Sequence, residues 1–480
     1  MGLEPKARYR LPGHIIWSPH SRIMRIGHDR DALTADGCYA IFNSNERMND
    51  IGPGPAERKN NKMQFDHPPH VEALRQRLTD FMDHYILPAH GAVTRTFLEG
   101  GHPTEVIERL KARAWEAGLW NLFLPSLADD QPGVRLSNAE YAPLAEIMGR
   151  VPWASEVFNC AAPDSGNMEL LQLFGTPDQK ARWLDPLLLG EIRSVFCMSE
   201  PDAPSSDPTS LATTIRRDGD EYVVEGRKWF ITGTRHPHLT FAIVFGVSDP
   251  DGLAERHRRH SFVIVPIDAP GVKIVRDITL MGAHAADGHG EIVFRNVRVP
   301  AENLIGAEGE AFAIAQARLG PGRVHHAMRS IGQCELALEL MTERALERRI
   351  GGTPLADRAN IREWIAESRI EIDQCRLLVM QAAWLMDTKG NAAARTAVSA
   401  IKLASARLQT RVLDRAMQVF GAAGLSPDTP LAGLWSWGRA LRVLDGPDEV
   451  HLQTVAKAEL KAARAAIGRN TRHFTGPAGL

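Results

Sequence analysis

The 480-residue chain has little of what several large protein classes require. Its cysteines are five, an odd number, and lie far apart: Cys38, Cys160, Cys197, Cys334 and Cys375. This set excludes both a disulfide framework and a Cys-x-x-Cys metal site, and it fits a reducing, intracellular compartment best. No stretch approaches 18 uncharged apolar residues, so no membrane span is predicted. The formal net charge of −2 gives no electrostatic basis for nucleic acid as the main partner.

The motifs of several common enzyme classes are also missing. The sequence has no G-x-G-x-x-G after a strand, no G-x-x-x-x-G-K-[ST], no H-E-x-x-H and no G-x-S-x-G. Together these absences disfavour Rossmann dinucleotide binding, P-loop phosphoryl transfer, zincin proteolysis and α/β-hydrolase chemistry.

What is present predicts a globular α+β protein with three structured parts, since 44% of residues are hydrophobic and 24% charged. Residues 1–62 are predicted to be a disordered tail, a targeting segment or the result of a start codon placed too far upstream, with Met63 as the true start. Residues 63–190 show apolar residues three or four apart, beginning with Val71, Leu74 and Leu78, which predicts an N-terminal helical domain.

Between residues 191 and 303 the apolar period changes to two. Asp218-Gly219-Asp220 separates two β-rich runs, which predicts a hairpin in a small β-barrel or sandwich domain. Residues 304–467 contain four long helical runs with glycine stops, which predicts a C-terminal four-helix bundle. Residues 468–480 are predicted to be a tail.

Two segments of the β region carry the candidate chemistry. In isolation, C-M-S-E-P-D-A-P-S-S-D (197–207) is typical of a strand running into an ordinary turn, and K-W-F-I-T-G (228–233) of a core strand. With R-N-V-R-V-P-A-E-N-L-I-G (295–306), Q-V-F-G-A-A-G (418–424) and L-D-G-P-D-E-V-H (444–451), they form an ordered set. This set resembles the acyl-CoA dehydrogenase family over about residues 65–467. Q-A-R-L-G-P-G-R-V-H-H-A-M-R (316–329) is similar to acyl-CoA dehydrogenase family members 10 and 11 and their bacterial relatives.

The resemblance implies an FAD cofactor and assigns residues to it. Met198 and Ser199 match positions that contact the flavin ring, and Thr232 matches one that approaches flavin N5. Phe230 stands where the family usually has a Trp over the flavin, so the indole N–H donor is lost while stacking remains possible. Arg348, Gln418 and Gly421 match positions that reach the FAD of a neighbouring subunit. The resemblance therefore implies a homo-oligomer, a dimer or a tetramer.

The resemblance also implies an acyl-CoA substrate. Ser206 and Arg323 match residues that hold the CoA portion, and a guanidinium suits phosphate and amide oxygens. Asp445 matches the Glu that many family members use as the catalytic base just before the last helix. On its own, D-G-P-D-E is more typical of a helix start than of a catalytic base, with Gly446 as N-cap, Pro447 as first helical residue and Asp445 as a turn residue. His325 and His326 are assigned no role, because adjacent helical histidines point to different faces.

The predicted function is FAD-dependent α,β-dehydrogenation of an acyl-CoA to a 2-enoyl-CoA. Asp445 would take the α-proton and flavin N5 the β-hydride, with an electron-transferring flavoprotein as electron acceptor. Two alternatives stay open: an acyl-CoA oxidase or flavin monooxygenase on the same fold, and a catalytically silent CoA-thioester-binding relative. The expected location is cytoplasmic for a bacterial protein, and mitochondrial or peroxisomal for a eukaryotic one. No metal is predicted.

Overall fold

The computed structural model describes residues 66–249, 251–252 and 254–469, without side chains for residues 316–319. The predicted segment 1–62 and residues 470–480 of the predicted C-terminal tail lie outside the described residues.

The first part of the described chain is helical, as predicted. Val71, Leu74, Leu78 and Phe81 are buried along one face of the first helix, whereas Tyr85, in the π-helical turn that follows, is exposed. This face packs into a core because apolar residues three and four apart share one side of a helix. The helices are α1 (Pro69–Phe81), α2 (Leu87–Leu98), α3 (Thr104–Glu116), α4 (Asn138–Gly149), α5 (Ala154–Val157), α6 (Asp164–Phe174), α7 (Pro177–Gln179) and α8 (Asp185–Leu189).

An eight-stranded sheet follows. Its strands are β1 (Arg193–Cys197), β2 (Thr214–Asp218), β3 (Glu221–Thr232), β4 (Leu239–Val247), β5 (His260–Pro266), β6 (Val272–Asp277), β7 (His289–Pro300) and β8 (Leu304–Ile305). The order is β6-β7-β3-β2-β4-β5-β8, with β1 paired to β4. The predicted hairpin is confirmed: Asp218 pairs with Glu221 across a turn in which Gly219 has φ +63°, a backbone conformation that costs glycine little.

The third part is helical again. Its elements are α9 (Ala311–Glu347), the short strands β9 (Arg349–Ile350) and β10 (Thr353–Pro354), α10 (Ala359–Lys389), α11 (Asn391–Phe420), α12 (Leu431–Leu441) and α13 (Asp448–Ala465). The four predicted long runs correspond to α9, α10, α11 and α13, whereas α12 was not predicted. The sequence-based order of helical domain, β domain and helical domain is thus confirmed.

Side-chain contacts give the directions of the long helices. The Ser330 hydroxyl donates to the Ser405 carbonyl, and Arg344 lies 5.5 Å from the centre of the Phe420 ring. Since both contacts join α9 to α11 in increasing residue order, these two helices run parallel. Glu371 and Glu367 of α10 pair with Arg411 and Arg415 of α11 in the opposite order, so α10 is antiparallel.

A close crossing of α4 and α9 packs the middle of α9 against the N-terminal domain. A Cβ on Gly332 would lie 2.0 Å from the Glu146 carbonyl oxygen, and one on Gly149 2.4 Å from Arg329 Cα. Only glycine permits this approach of two backbones. Tyr141 of α4 accordingly packs edge-on against His325 of α9, with 4.8 Å between the ring centres.

Candidate active site

The residues matched to the flavin lie on two adjoining backbone segments of the sheet. Met198 and Ser199 follow β1, and the amide of Trp229 donates to the Ser199 carbonyl at 3.0 Å. The fully buried Lys228 donates to the Met198 carbonyl at 2.9 Å and to Glu200 Oε1 at 2.8 Å. Lys228 therefore ties the end of β1 to the middle of β3.

Phe230 lies where the pairing of β3 with β7 is irregular. The register shifts between Lys228 and Ile231, so Trp229 and Phe230 have no paired residue on β7. Phe230 has φ +51° and a 43% exposed side chain. A positive φ at a bulky residue costs about 1–3 kcal/mol, and such strain is concentrated at functional sites. The bulge presents an aromatic ring where the resemblance expects the flavin.

Thr232 at the end of β3 connects the sheet to the C-terminal domain. Its hydroxyl lies 3.1 Å from Nδ1 of His289, and the His289 ring stacks on Trp437 with 6.4 Å between ring centres and 3° between planes. Burial lowers the pKa of His289, and its buried Nε2 has no hydrogen-bond partner. Trp437 lies in α12, the helix that leads to Asp445. Sequence reasoning missed both His289 and Trp437.

Asp445 lies in the loop between α12 and α13, in a left-handed conformation with φ +53°. Two side chains donate to its backbone carbonyl, each at 3.1 Å: Arg323 through Nη2 and His451 through Nε2. Lys402 donates to the next carbonyl, that of Gly446, at 2.7 Å. Residues from α9, α11 and α13 thus hold the backbone of this loop in place.

Burial changes the acidity of the groups that hold the loop. It lowers the pKa of Lys402 to about 8 and that of His451 to about 4, and it lowers the pKa of Arg323. His451 is therefore neutral at pH 7, and Nε2 carries its proton because a carbonyl only accepts. Arg323 was predicted to hold substrate; the contact seen in this structure is with the Asp445 loop.

The helix start after Asp445 differs from the expected one. Pro447 is the N-cap and Asp448 the first helical residue, so α13 begins one residue later than the helix-start interpretation required. No side chain caps this helix. Asp448 is buried and accepts from Arg442 at 2.9 Å and from Arg407 at 3.3 Å. Asp448, not Asp445, is thus the carboxylate that stabilises the start of α13.

His326 is a further side chain at this loop that sequence reasoning missed. Its Nε2 lies 3.6 Å from Asp445 Oδ2. The signal was available, because His326 follows Arg323 by three residues and such residues share a helix face. The expectation that His325 and His326 point to different faces holds: His325 packs against Tyr141, whereas His326 approaches Asp445.

The two residues matched to the CoA portion, Ser206 and Arg323, lie in different parts of the structure. Ser206 is exposed in the turn after β1. Its neighbour Asp207 is a turn residue: its carboxylate accepts from the Thr209 hydroxyl at 2.5 Å and pairs with Arg256 at 2.5 Å. Ser206 and Arg323 are on separate elements, and no direct contact joins them.

The remaining matched residues lie at the other end of the bundle. Arg348 ends α9, and Gln418 and Gly421 lie at the end of the parallel helix α11; all three are exposed. Arg348 is 25 residues beyond Arg323, which corresponds to about 37 Å along a helix. Arg348 therefore lies far from the Asp445 loop of its own chain.

A separate cluster of titratable groups lies between the N-terminal helices and the sheet. Ligand atoms of His102, Glu156 and His236 lie within 4.8 Å of one another. Lys111 and Arg193 each come to 3.5 Å from the same Glu156 oxygen that accepts from His236. Because two cations already neutralise this carboxylate, the cluster is an ion network and we assign it no metal.

Comparison with known proteins shows the family of the chain. Three family models match: the acyl-CoA dehydrogenase N-terminal domain over residues 68–191, the middle domain over 195–297 and the C-terminal domain over 309–460. These three domains, in the order helical, β and helical, define the class of protein as a flavin-dependent oxidoreductase. The chain belongs to the acyl-CoA dehydrogenase family, whose members are FAD-dependent oxidoreductases.

Individual relatives cover the same region. The chain is 50% identical over 397 residues to probable acyl-CoA dehydrogenase FadE2 of Mycobacterium tuberculosis, covering 82% of this chain and 95% of that protein. It is 46% identical over 393 residues to human acyl-CoA dehydrogenase family member 11, covering 80% of this chain but only 50% of that protein. The chain thus spans about half the length of the family member 11 proteins.

Two solved structures share the fold. One, from Mycobacterium abscessus and assigned to the acyl-CoA dehydrogenases, is 49% identical with a TM-score of 0.79, covering 83% of this chain and all of the other. Butyryl-CoA dehydrogenase from Megasphaera elsdenii is 25% identical with a TM-score of 0.70, at the same coverage. Among the described residues, no helix is long and apolar enough to cross a membrane.

Proposed function

We propose that this protein catalyses α,β-dehydrogenation of an acyl-CoA thioester to a 2-enoyl-CoA, with Asp445 as the base that takes the α-proton. The observation that carries this proposal is the difference in environment between two nearby carboxylates, those of Asp445 and Asp448. Asp448 is buried against Arg442 and Arg407 at the start of α13, whereas Asp445 lies before the helix with its side chain 31% exposed.

The loop geometry suits a positioned base. A side-chain carboxylate acts as a general base only if its backbone is held, because small displacements from the reacting proton are costly. Arg323, Lys402 and His451 all donate to backbone carbonyls of residues 445 and 446. These three hydrogen bonds fix the backbone from which the Asp445 side chain extends. Asp is one methylene shorter than Glu, so the thioester must approach this loop closely.

The residues proposed to bind the flavin lie on and beside the bulge in β3. The exposed Phe230 ring, the backbone of Met198 and Ser199, and the Thr232 hydroxyl would hold the flavin ring, and His289 orients that hydroxyl at 3.1 Å. The bound FAD supplies a hydride acceptor for the substrate β-carbon. Ser206 and Arg323 would contact the CoA portion, Arg323 while it also holds the base loop.

The proposal includes a homo-oligomer. Arg348, Gln418 and Gly421 are exposed at the end of the bundle that lies away from Asp445. They would contact FAD bound to a neighbouring subunit, which would make each site complete only in a dimer or larger assembly. An electron-transferring flavoprotein is the proposed electron acceptor.

The test is a visible spectrum of the purified protein before and after anaerobic addition of acyl-CoAs of increasing chain length, starting with butyryl-CoA. We expect oxidised-flavin bands that bleach with at least one thioester and stay bleached until an acceptor is added. Recovery within seconds on admitting air would favour an oxidase or monooxygenase instead. A protein that takes up no flavin when FAD is supplied would favour the silent relative.

A further inference from the structure

Two side chains of α9 point to the Asp445 loop. Arg323 and His326 are three residues apart and therefore share a helix face. Arg323 donates to the Asp445 carbonyl, and His326 Nε2 lies 3.6 Å from Oδ2 of the Asp445 carboxylate. A displacement of a few tenths of an ångström would bring the latter pair within hydrogen-bonding distance.

The neighbouring histidine has a different environment. His325 is buried, with its ring edge-on to Tyr141 at 4.8 Å and to Phe123 at 6.2 Å between ring centres. Burial lowers its pKa well below the ordinary value, so it packs as a neutral ring. Of these two residues, only His326 approaches the base.

His326 is also distinct from the other polar side chains around the loop. Arg323, His451 and Lys402 donate to the carbonyls of residues 445 and 446, whereas His326 approaches the carboxylate itself. Its side chain is 21% exposed, so solvent can reach it. Imidazole can accept a proton on one occasion and release it on another near neutral pH.

We propose that His326 is a proton-relay residue that acts through Asp445. This inference rests on the proposed role of Asp445 as base. In each turnover the C–H bond at the substrate α-carbon breaks, its electron pair enters the new double bond, and the proton moves to Asp445 Oδ2. Before the next turnover Asp445 must lose that proton. His326 accepts it at Nε2 and releases it to water, which restores the Asp445 carboxylate.

The experiment follows proton movement alone. A 3-thiaacyl-CoA, in which sulfur replaces the β-methylene, can lose its α-proton but has no β-hydride to give. With the FAD-loaded protein in D₂O, NMR measures exchange of the α-hydrogens for deuterium, while stopped-flow absorbance measures enolate formation. Wild type is compared with Asp445→Asn, His326→Gln and His326→Ala, the last with and without added imidazole.

We expect Asp445→Asn to abolish exchange. In His326→Gln, exchange should slow about tenfold or more while enolate formation stays within about threefold, since relayed protons contribute on the scale of general acid–base catalysis. Imidazole should restore exchange in His326→Ala, an effect that a purely structural role would not produce.

Two results would overturn the relay and leave the base intact. One is exchange in His326→Gln within twofold of wild type; the other is equal slowing of exchange and enolate formation without imidazole rescue. Normal exchange in Asp445→Asn would instead overturn the base assignment itself. The failure of this inference and the failure of the proposed function are therefore distinguishable.

Discussion

The two ends of the C-terminal bundle differ in how many contacts within a single chain hold their residues in place. At the Asp445 end, side chains from α9, α11 and α13 converge on one loop and satisfy its carbonyls. At the opposite end, Arg348, Gln418 and Gly421 are exposed, and a Cβ added to Gly421 would meet nothing within 4 Å. The polar groups of the Asp445 loop are thus satisfied by contacts within one chain, whereas the residues at the opposite end are exposed to solvent.

Under the proposed function, catalysis and cofactor binding are separated along one bundle. Because α9 and α11 run parallel, the same two helices supply residues to both ends, about 37 Å apart on α9. A base must be held within a fraction of an ångström, which internal contacts achieve. Contacts to the outlying parts of a cofactor tolerate assembly between subunits. The following experiments test this contrast.

The largest effect is expected at Asp445. We expect Asp445→Asn to lower turnover of the best acyl-CoA by about 10²–10⁴-fold, because the amide cannot accept the α-proton. Flavin content and melting temperature should stay near wild type, since the loop is held through its backbone. The matched control is Glu449→Gln, an exposed residue of the first turn of α13. A fall in turnover of less than about tenfold would contradict the base assignment.

Arg323 should give the next largest effect. We expect Arg323→Met to lower kcat by about 100-fold, because a loop displaced by about 1 Å misplaces the carboxylate. Arg362→Met, which removes an exposed guanidinium of α10, is the control. Steady-state kinetics separate two roles: a fall in kcat indicates that Arg323 holds the loop, whereas a rise in KM at constant kcat indicates that it binds CoA alone.

Mixed assemblies test the opposite end directly. Asp445→Asn and Arg348→Ala chains are co-expressed with different tags. If each site takes Asp445 from one chain and Arg348 from its neighbour, a mixed dimer regains one intact site, so the mixture should reach about one quarter of wild-type activity. The control is a chain that carries both substitutions and is expressed alone, since it has no intact site. Activity no higher than the sum of the separate variants would contradict a shared site.

Much of the fold could be predicted because it depends on local patterns. The periods of apolar residues predicted the helix at Val71–Leu78 and the β region over residues 191–303, and Gly219 marked the hairpin. Helix α12 was missed, and its existence depends on packing: Leu431, Leu434 and Leu441 are buried, yet the segment is short and rich in tryptophan and glycine. Short elements take their stability from tertiary contacts that no local window contains.

The candidate site was predictable only where a motif marked it. Phe230 and Asp445 came from motif matches, and both have left-handed backbone conformations that no composition argument shows. His289 and Lys402 reach the site through folding over long sequence distances. His451 and His326 are exceptions, since His451 lies six residues after Asp445 in the quoted motif and His326 lies three residues after Arg323.

The smallest effect is expected at His451. It tests how strongly contacts within the chain hold the Asp445 loop. Burial lowers its pKa to about 4 in the folded protein, against 6.5 for an exposed histidine. Between pH 6.5 and 4 the unfolded chain therefore binds a proton that the folded chain refuses, so stability is present above 6.5 and falls as the pH decreases through this range. His451→Gln keeps an N–H that can reach the Asp445 carbonyl but removes this titration.

We expect this substitution to reduce the loss of stability between pH 7 and 4 by up to about 3 kcal/mol, measured by denaturant unfolding at each pH. His84→Gln, at an exposed histidine, is the control. An unchanged acid limb in His451→Gln would mean that His451 is not held neutral against the base loop, and the contrast between the two ends would weaken.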